Sequence, residues 1–149
     1  MTSSWEQFEE LIKAEMRKRF SETAIEHGMN PRNMGDIENA DGFGMVTGSC
    51  GDTMKMWIKV KEGKISDASF LTDGCGTTMA SGSMVTELTK GKSIAEAYKI
   101  DQKKVLDALD GLPEESEHCA LLAANTLKET LNNYLAMKKE PWKKNYPQR

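Results

Sequence analysis

Trp5, Phe8, Ile12, Met16, Phe20 and Ala24 recur at steps of three and four, with charged residues between them. That spacing stacks the apolar side chains on one face and predicts a single amphipathic helix over residues 4–27, stopped by Gly28. Its stripe is expected to pack on the domain or on a partner. Residues 30–35 read Asn-Pro-Arg-Asn-Met-Gly, turn chemistry that predicts a loop. Beyond Gly42 the period changes to two. Met54, Met56, Ile58 and Val60 alternate with Lys55, Trp57 and Lys59, the pattern of a strand with one polar-leaning face. Residues 43–47 and 65–70 read as neighbouring strands, and Lys61-Glu62-Gly63-Lys64 as a hairpin turn with glycine available for positive φ. The result is a small three-stranded antiparallel sheet.

The turn also sets a register. With Glu62 and Gly63 as the two loop residues, continuing the hairpin pairing places Cys50 opposite Cys75, within a residue or two. Past Cys75 the pattern is helical. Thr77 or Thr78 is expected to cap a helix that runs to about Lys90 and stops at Gly91. Ser93-Ile94-Ala95-Glu96 is a capping box. Asp101 is expected to cap a short helix stopping at Gly111. After Pro113 comes a long helix with Ser116 as N-cap, carrying Ala120, Ala123, Leu127, Leu131 and Tyr134 on one stripe. The predicted fold is α+β, with helices packed mainly on one face of the sheet and an extra N-terminal helix. Residues 1–149 form a single domain, with 1–19 a helical extension and 139–149 a basic tail expected to be mobile.

Composition narrows the classes. A length of 149 residues with 38% hydrophobic and 29% charged content fits one globular domain with a core. Twenty basic against 23 acidic residues leave a net charge of −3, which argues against a nucleic-acid-binding surface as the main function. No apolar run is long enough to span a bilayer, and the charged start has no apolar signal core, so neither a membrane nor secretion is expected. Three cysteines make an odd number, where a disulfide framework needs pairs. A reducing cytoplasm is the simplest location.

The chemistry gathers at those three thiols. Cys50-Gly51-Asp52, Asp73-Gly74-Cys75-Gly76 and His118-Cys119 together supply three soft donors, a carboxylate and an imidazole. Such a set suits zinc or an iron–sulfur cluster far better than calcium or magnesium. On an extended chain Cys50 and Asp52 face the same way. Cys75 precedes one helix and Cys119 sits in the first turn of another, where unpaired N–H groups favour thiolate. The flanking Gly51, Gly74 and Gly76 leave backbone N–H groups free and room for sulfide. Taken singly, each cysteine reads as a small buried hydrophobe, Asp52 as a turn residue and His118 as a packing or capping residue; together they read as a metal site. A permanent electron carrier would normally use four cysteines. A weaker fourth ligand, Asp52 or His118, suits a protein that must give its cluster away.

These motifs, with Phe20-Ser21-Glu22, Asn30-Pro31-Arg32-Asn33, Gly91-Lys92 and Leu112-Pro113, resemble the iron–sulfur cluster assembly scaffolds of the IscU type, which are similar to the N-terminal domain of NifU. The resemblance spans residues 20–138. It implies a cytoplasmic scaffold, not an enzyme, on which a labile [2Fe-2S] cluster is built from iron and from persulfide sulfur of a cysteine desulfurase, then passed to apo-proteins. It implies Cys50, Cys75 and Cys119 as ligands and sulfur acceptors, Cys119 receiving the persulfide first, with Asp52 and His118 as further ligands. It also implies an iron donor, Zn2+ as an alternative occupant, and room for a homodimer bridged by a [4Fe-4S] cluster. Where the family's chaperone segment usually reads Leu-Pro-Pro-Val-Lys, this chain has Leu112-Pro113-Glu114-Glu115-Ser116, which weakens the expectation of a dedicated Hsp70-type chaperone. The resemblance stops at the N-terminal domain of NifU, so the C-terminal domains of full-length NifU are not expected. SufU-type proteins usually carry an insertion between the second and third cysteines and Arg in place of the His, so His118 argues against that branch. Two other readings remain open at this point: a zinc-dependent sulfur acceptor working with a desulfurase, and a zinc that only staples the fold.

Overall fold

The computed structural model describes residues 3–139. Helices α1 (Ser4–Arg17) and α2 (Glu22–Met29) lead into strands β1 (Gly42–Thr47), β2 (Thr53–Lys61) and β3 (Lys64–Thr72). Helices α3 (Gly76–Thr89), α4 (Ile94–Tyr98) and α5 (Gln102–Ala108) follow, then a 3-10 turn (Glu114–Ser116) and the long α6 (Glu117–Lys139). The basic tail lies outside the described residues except for Lys139.

The helix expected over residues 4–27 is two helices. Met16, Phe20 and Ala24 keep the apolar phase across the break, so periodicity alone does not reveal it. What breaks the helix is Ser21, an N-cap whose hydroxyl accepts from Ala24 N at 3.0 Å. Gly28 is not a stop either; it lies inside α2, where an added Cβ would sit 3.0 Å from Gly76 O. It lets α2 lie close against the start of α3.

The sheet is antiparallel in the order β1-β2-β3. Met54, Met56 and Ile58 are wholly buried, as the alternation predicts, and meet Ile65, Ala68 and Phe70 from β3. Glu62 (φ 54) and Gly63 (φ 78) both take positive φ, the twist-matching turn of a two-residue hairpin. Next to the turn, Val60 pairs with Ile65 and Lys61 with Lys64, the predicted register. An irregularity between Lys59 and Val60 then slips the pairing by one residue, so that Met54 faces Thr72. Both ends of the hairpin still arrive together.

Helices cover one face. From α3 come Ala80, Met84 and Val85, and from α6 come Ala120, Ala123, Leu127 and Leu131, all buried. Helix α6 approaches β1 very closely because Gly42 and Gly44 have no side chains. All eight buried polar residues among those described are Ser or Thr, concentrated in α3 and α6. Several hydroxyls return to a carbonyl one turn back, as Thr89 Oγ1 does to Val85 O at 2.7 Å. On the far side of β3 its edge is occupied by the loop at Asn33–Gly35, where Gly35 N donates to Phe70 O and Phe70 N to Asn33 O, both at 3.0 Å. The capping box at Ser93 and the Asp101 cap form as expected. Helix α5 ends at Ala108, three residues before Gly111. Ser116 is not a simple N-cap, because the 3-10 turn that it closes runs straight into α6. Among the described residues, no helix is long and apolar enough to cross a membrane.

Candidate metal centre

Three structural elements bring the candidate donors to one end of the sheet. The β1–β2 connection carries Cys50 and Asp52, the start of α3 carries Cys75, and the first turn of α6 carries His118 and Cys119. The end of the hairpin beneath them is knotted locally. Thr53 N donates to Asp73 Oδ1 at 2.8 Å, and Thr72 Oγ1 donates to Thr53 O at 2.7 Å. Asp73 is thereby engaged with backbone.

Cys75 itself is the N-cap of α3, not Thr77 or Thr78. The two threonine hydroxyls serve the sulfurs. Thr77 Oγ1 lies 3.4 Å from Cys75 Sγ and 3.4 Å from Cys119 Sγ. Thr78 is fully buried and its hydroxyl has two acceptors, Asp52 Oδ2 at 3.0 Å and Cys119 Sγ at 3.4 Å. Gly74 makes room for this arrangement, since a Cβ there would lie 2.6 Å from Thr78 Cβ. The need for Gly74 thus comes from Thr78 as a neighbour. Gly76, by contrast, does leave open space.

The expectation that Cys50 and Asp52 share one side of an extended run does not hold. Gly51 has φ +91, and Gly51 N donates to Gly48 O at 3.0 Å, so residues 48–52 form a tight loop. Asp52 turns inward to Thr78 while Cys50 stands exposed on the loop. His118 is half-buried, with Nε2 3.7 Å from Cys119 Sγ. The arrangement therefore links Asp52, Cys75 and Cys119 through two hydroxyls, with His118 beside Cys119 and Cys50 outside the network. Among the described residues, no three His, Cys, Asp or Glu side chains already converge as a closed metal cage.

The thiols differ in state. Cys75 is exposed and Cys119 is buried, at 3% exposure. The Thr77 hydroxyl holds the Cys75 thiol below its ordinary pKa; partial burial works the other way, and the backbone N–H groups of Thr77 and Thr78 add to the lowering. The Cys75 side chain makes no cap hydrogen bond of regular geometry. We therefore assign the backbone contribution to the general field of the helix start and the main effect to Thr77. A groove of about 380 Å³ opens beside this thiol, lined by Phe20, Ile25, Met29 and Ala80 with Arg19 among its lining residues. Arg19 forms an ion pair with Glu115 of the 3-10 turn.

Thr77 and Thr78 are the site residues that sequence reasoning assigned to a different task. For Thr77 a signal was present, a hydroxyl two positions after a cysteine in the first turn of a helix, within reach of its sulfur; the partners of Thr78 come from distant elements.

The chain is 47% identical over 116 residues to the iron–sulfur cluster assembly scaffold protein IscU 1 of Archaeoglobus fulgidus, covering 77% of this chain and 76% of that one. It is 46% identical over 120 residues to the scaffold protein IscU of Escherichia coli K12, covering 77% and 93%. The N-terminal NifU-like protein of Brucella abortus shares the fold, with a TM-score of 0.62 at 16% identity, covering 78% of this chain and 94% of that chain. Residues 19–141 match the family described as NifU-like N terminal domain, and the chain belongs to that family.

Proposed function

We propose that this protein is a scaffold on which iron and sulfide are assembled into a [2Fe-2S] cluster that is then handed to apo-proteins. One observation carries the reading. Two adjacent hydroxyls draw together two thiols and a carboxylate from three separate elements, while a third thiol stands exposed on the loop that carries the carboxylate. A closed structural zinc site would hold four fixed ligands. A set with one loose thiol, one oxygen donor and one imidazole can accept and release its cargo.

The cluster is cargo, and the chain's residues handle it as follows. Cys50, Cys75 and Cys119 are the sulfur ligands, with Asp52 and His118 competing for the remaining position. A scaffold thiolate attacks the terminal sulfur of a cysteine desulfurase persulfide, forming a new S–S bond as the desulfurase thiolate leaves. Releasing that sulfur as sulfide takes two electrons from an external donor. From the resemblance, Cys119 is the acceptor. Because it is buried, its cover of Thr77, Thr78 and His118 must open first, whereas Cys75 is reachable at once.

The partners that follow are a cysteine desulfurase, an iron donor and apo iron–sulfur proteins. A dedicated Hsp70-type chaperone is not favoured. The segment it would read carries Glu115, which is paired to Arg19, while Ser21 and Thr23 hydrogen-bond the preceding Leu109 and Asp110. The same donor set suits Zn2+, and a reducing cytoplasm keeps the three thiols available.

The test is anaerobic reconstitution with desulfurase, cysteine and ferrous iron, followed by assay of iron, acid-labile sulfide and zinc per chain. Near-equal iron and sulfide with a cluster chromophore support the scaffold. Bound zinc with persulfide but no sulfide would replace it with a sulfur acceptor.

A further inference from the structure

Among the described residues, Thr78 is the one buried side chain hydrogen-bonded to two candidate ligands from different elements. A hydroxyl has a single proton to donate. Two acceptors stand within reach of it, Asp52 Oδ2 at 3.0 Å and Cys119 Sγ at 3.4 Å. The contact to the carboxylate is the shorter and the better suited to an anion. While Asp52 keeps that proton, Cys119 receives less of it. Thr78 sits directly over Gly74, where any side chain would collide with its Cβ, Cγ2 and Oγ1, so this placement of the hydroxyl depends on a glycine there. Thr78 itself has no exposed surface, so water does not compete for its hydroxyl.

We propose that Thr78 is a positioning residue that couples Asp52 to Cys119: when Asp52 turns away, the hydroxyl passes to the Cys119 sulfur, and when Cys119 is engaged, it holds Asp52 back. This deepens the scaffold reading and rests on the same site, but the coupling itself exists in the metal-free protein. It gives the exchange of an oxygen donor for sulfur a mechanical basis. Asp52 and Cys119 are not independent ligands, and the residue linking them never needs to touch the cargo. Thr77 relates Cys75 to Cys119 in a similar way, but it is half-buried and either atom can be the donor, so its hydroxyl sets no direction.

The test is a double-mutant cycle read in two ways. The first uses metal-free protein at one pH and measures iodoacetamide labelling of Cys119 relative to Cys50 by mass spectrometry. Asp52→Asn weakens the competing acceptor, so Cys119 labelling changes at least about threefold when Thr78 is present; in a Thr78→Val background the same substitution has no effect. Thr78→Ser, which keeps the hydroxyl, restores the response. The second uses Zn2+ alone against a chromophoric chelator. Thr78→Val weakens binding by about tenfold, the usual scale for a residue that orients a ligand, and that loss disappears when Asp52 is already Ala. Equal effects of the Asp52 substitutions in both backgrounds would overturn the coupling. Should wild type bind neither zinc nor iron while the labelling cycle still shows coupling, the scaffold reading fails and this inference stands.

Discussion

The seat of α6 on the sheet gives the most direct quantitative prediction. Gly44 lies in β1, where glycine ordinarily weakens a strand and alanine would be an improvement. Here a Cβ would come 2.4 Å from Thr130 Oγ1, 2.6 Å from Thr130 N and 3.0 Å from Thr126 O. Two of these atoms are α6 backbone and cannot rotate away. Gly44→Ala therefore forces α6 and β1 apart by several tenths of an ångström along a buried seam. Overpacking of this kind costs about 1–3 kcal/mol, and rigid neighbours place it at the upper end. Reduced freedom of the unfolded chain returns about 0.4–1 kcal/mol. The net loss is about 2 kcal/mol, or roughly 6 °C in Tm for a domain of this size. Circular dichroism melts of metal-free protein measure it, with Gly76→Ala as the matched control, since nothing lies within 4 Å of that Cβ. Thr130→Ala removes the hydroxyl but leaves the backbone contacts, so it rescues only part of the loss. A Gly44→Ala protein that melts at or above wild type would refute the close seat of α6.

Other consequences are open to measurement. Asp52→Ala removes the oxygen donor proposed to alternate at the cluster, and cluster transfer to an apo-ferredoxin is expected to slow by about tenfold, the scale on which changes around a metal act; equal rates would refute the role. His27 Nδ1 is hydrogen-bonded to Ser83 Oγ at 2.7 Å, and the same oxygen accepts the Arg32 N–H. Burial first, and the Arg32 charge second, lower its pKa below the ordinary 6.5. The unfolded chain therefore takes up its proton first on acidification. Stability is complete above pH 6.5 and declines as pH falls from there through the lower folded value, whereas a His27→Gln protein shows a flatter urea-midpoint profile across that window. Removing residues 1–17 takes away a helix with no buried residue, so Tm changes by no more than about 4 °C; a larger loss would mean that α1 contributes to the core.

The parts of the molecule legible in the sequence were those set by local rules. The alternation of Met54, Met56 and Ile58, the Glu62-Gly63 turn and the Ser93 box each involve residues a few positions apart, and each formed as expected. What escaped were choices settled by distant partners. The helix break at Ser21 is reinforced by a hydrogen bond to Leu109 O, far along the chain. Thr77 and Thr78 look like caps until Cys119, arriving on α6, gives their hydroxyls other partners. The five candidate donors were readable as a set from three short motifs. That Cys50 would stand apart was not, because it depends on the left-handed turn at Gly51.

The hydroxyl-lined interior of α3 and α6 has a thermal consequence. Where most helices bury methyl groups, these bury Thr78, Ser81, Ser83, Thr86, Thr89, Thr126 and Thr130. Exposing apolar surface raises heat capacity and exposing polar surface lowers it, so unfolding this interior falls below the usual increment of about 12–15 cal/mol/K per residue. A smaller increment flattens the curve of stability against temperature. The protein then keeps a modest but nearly constant margin of stability on cooling.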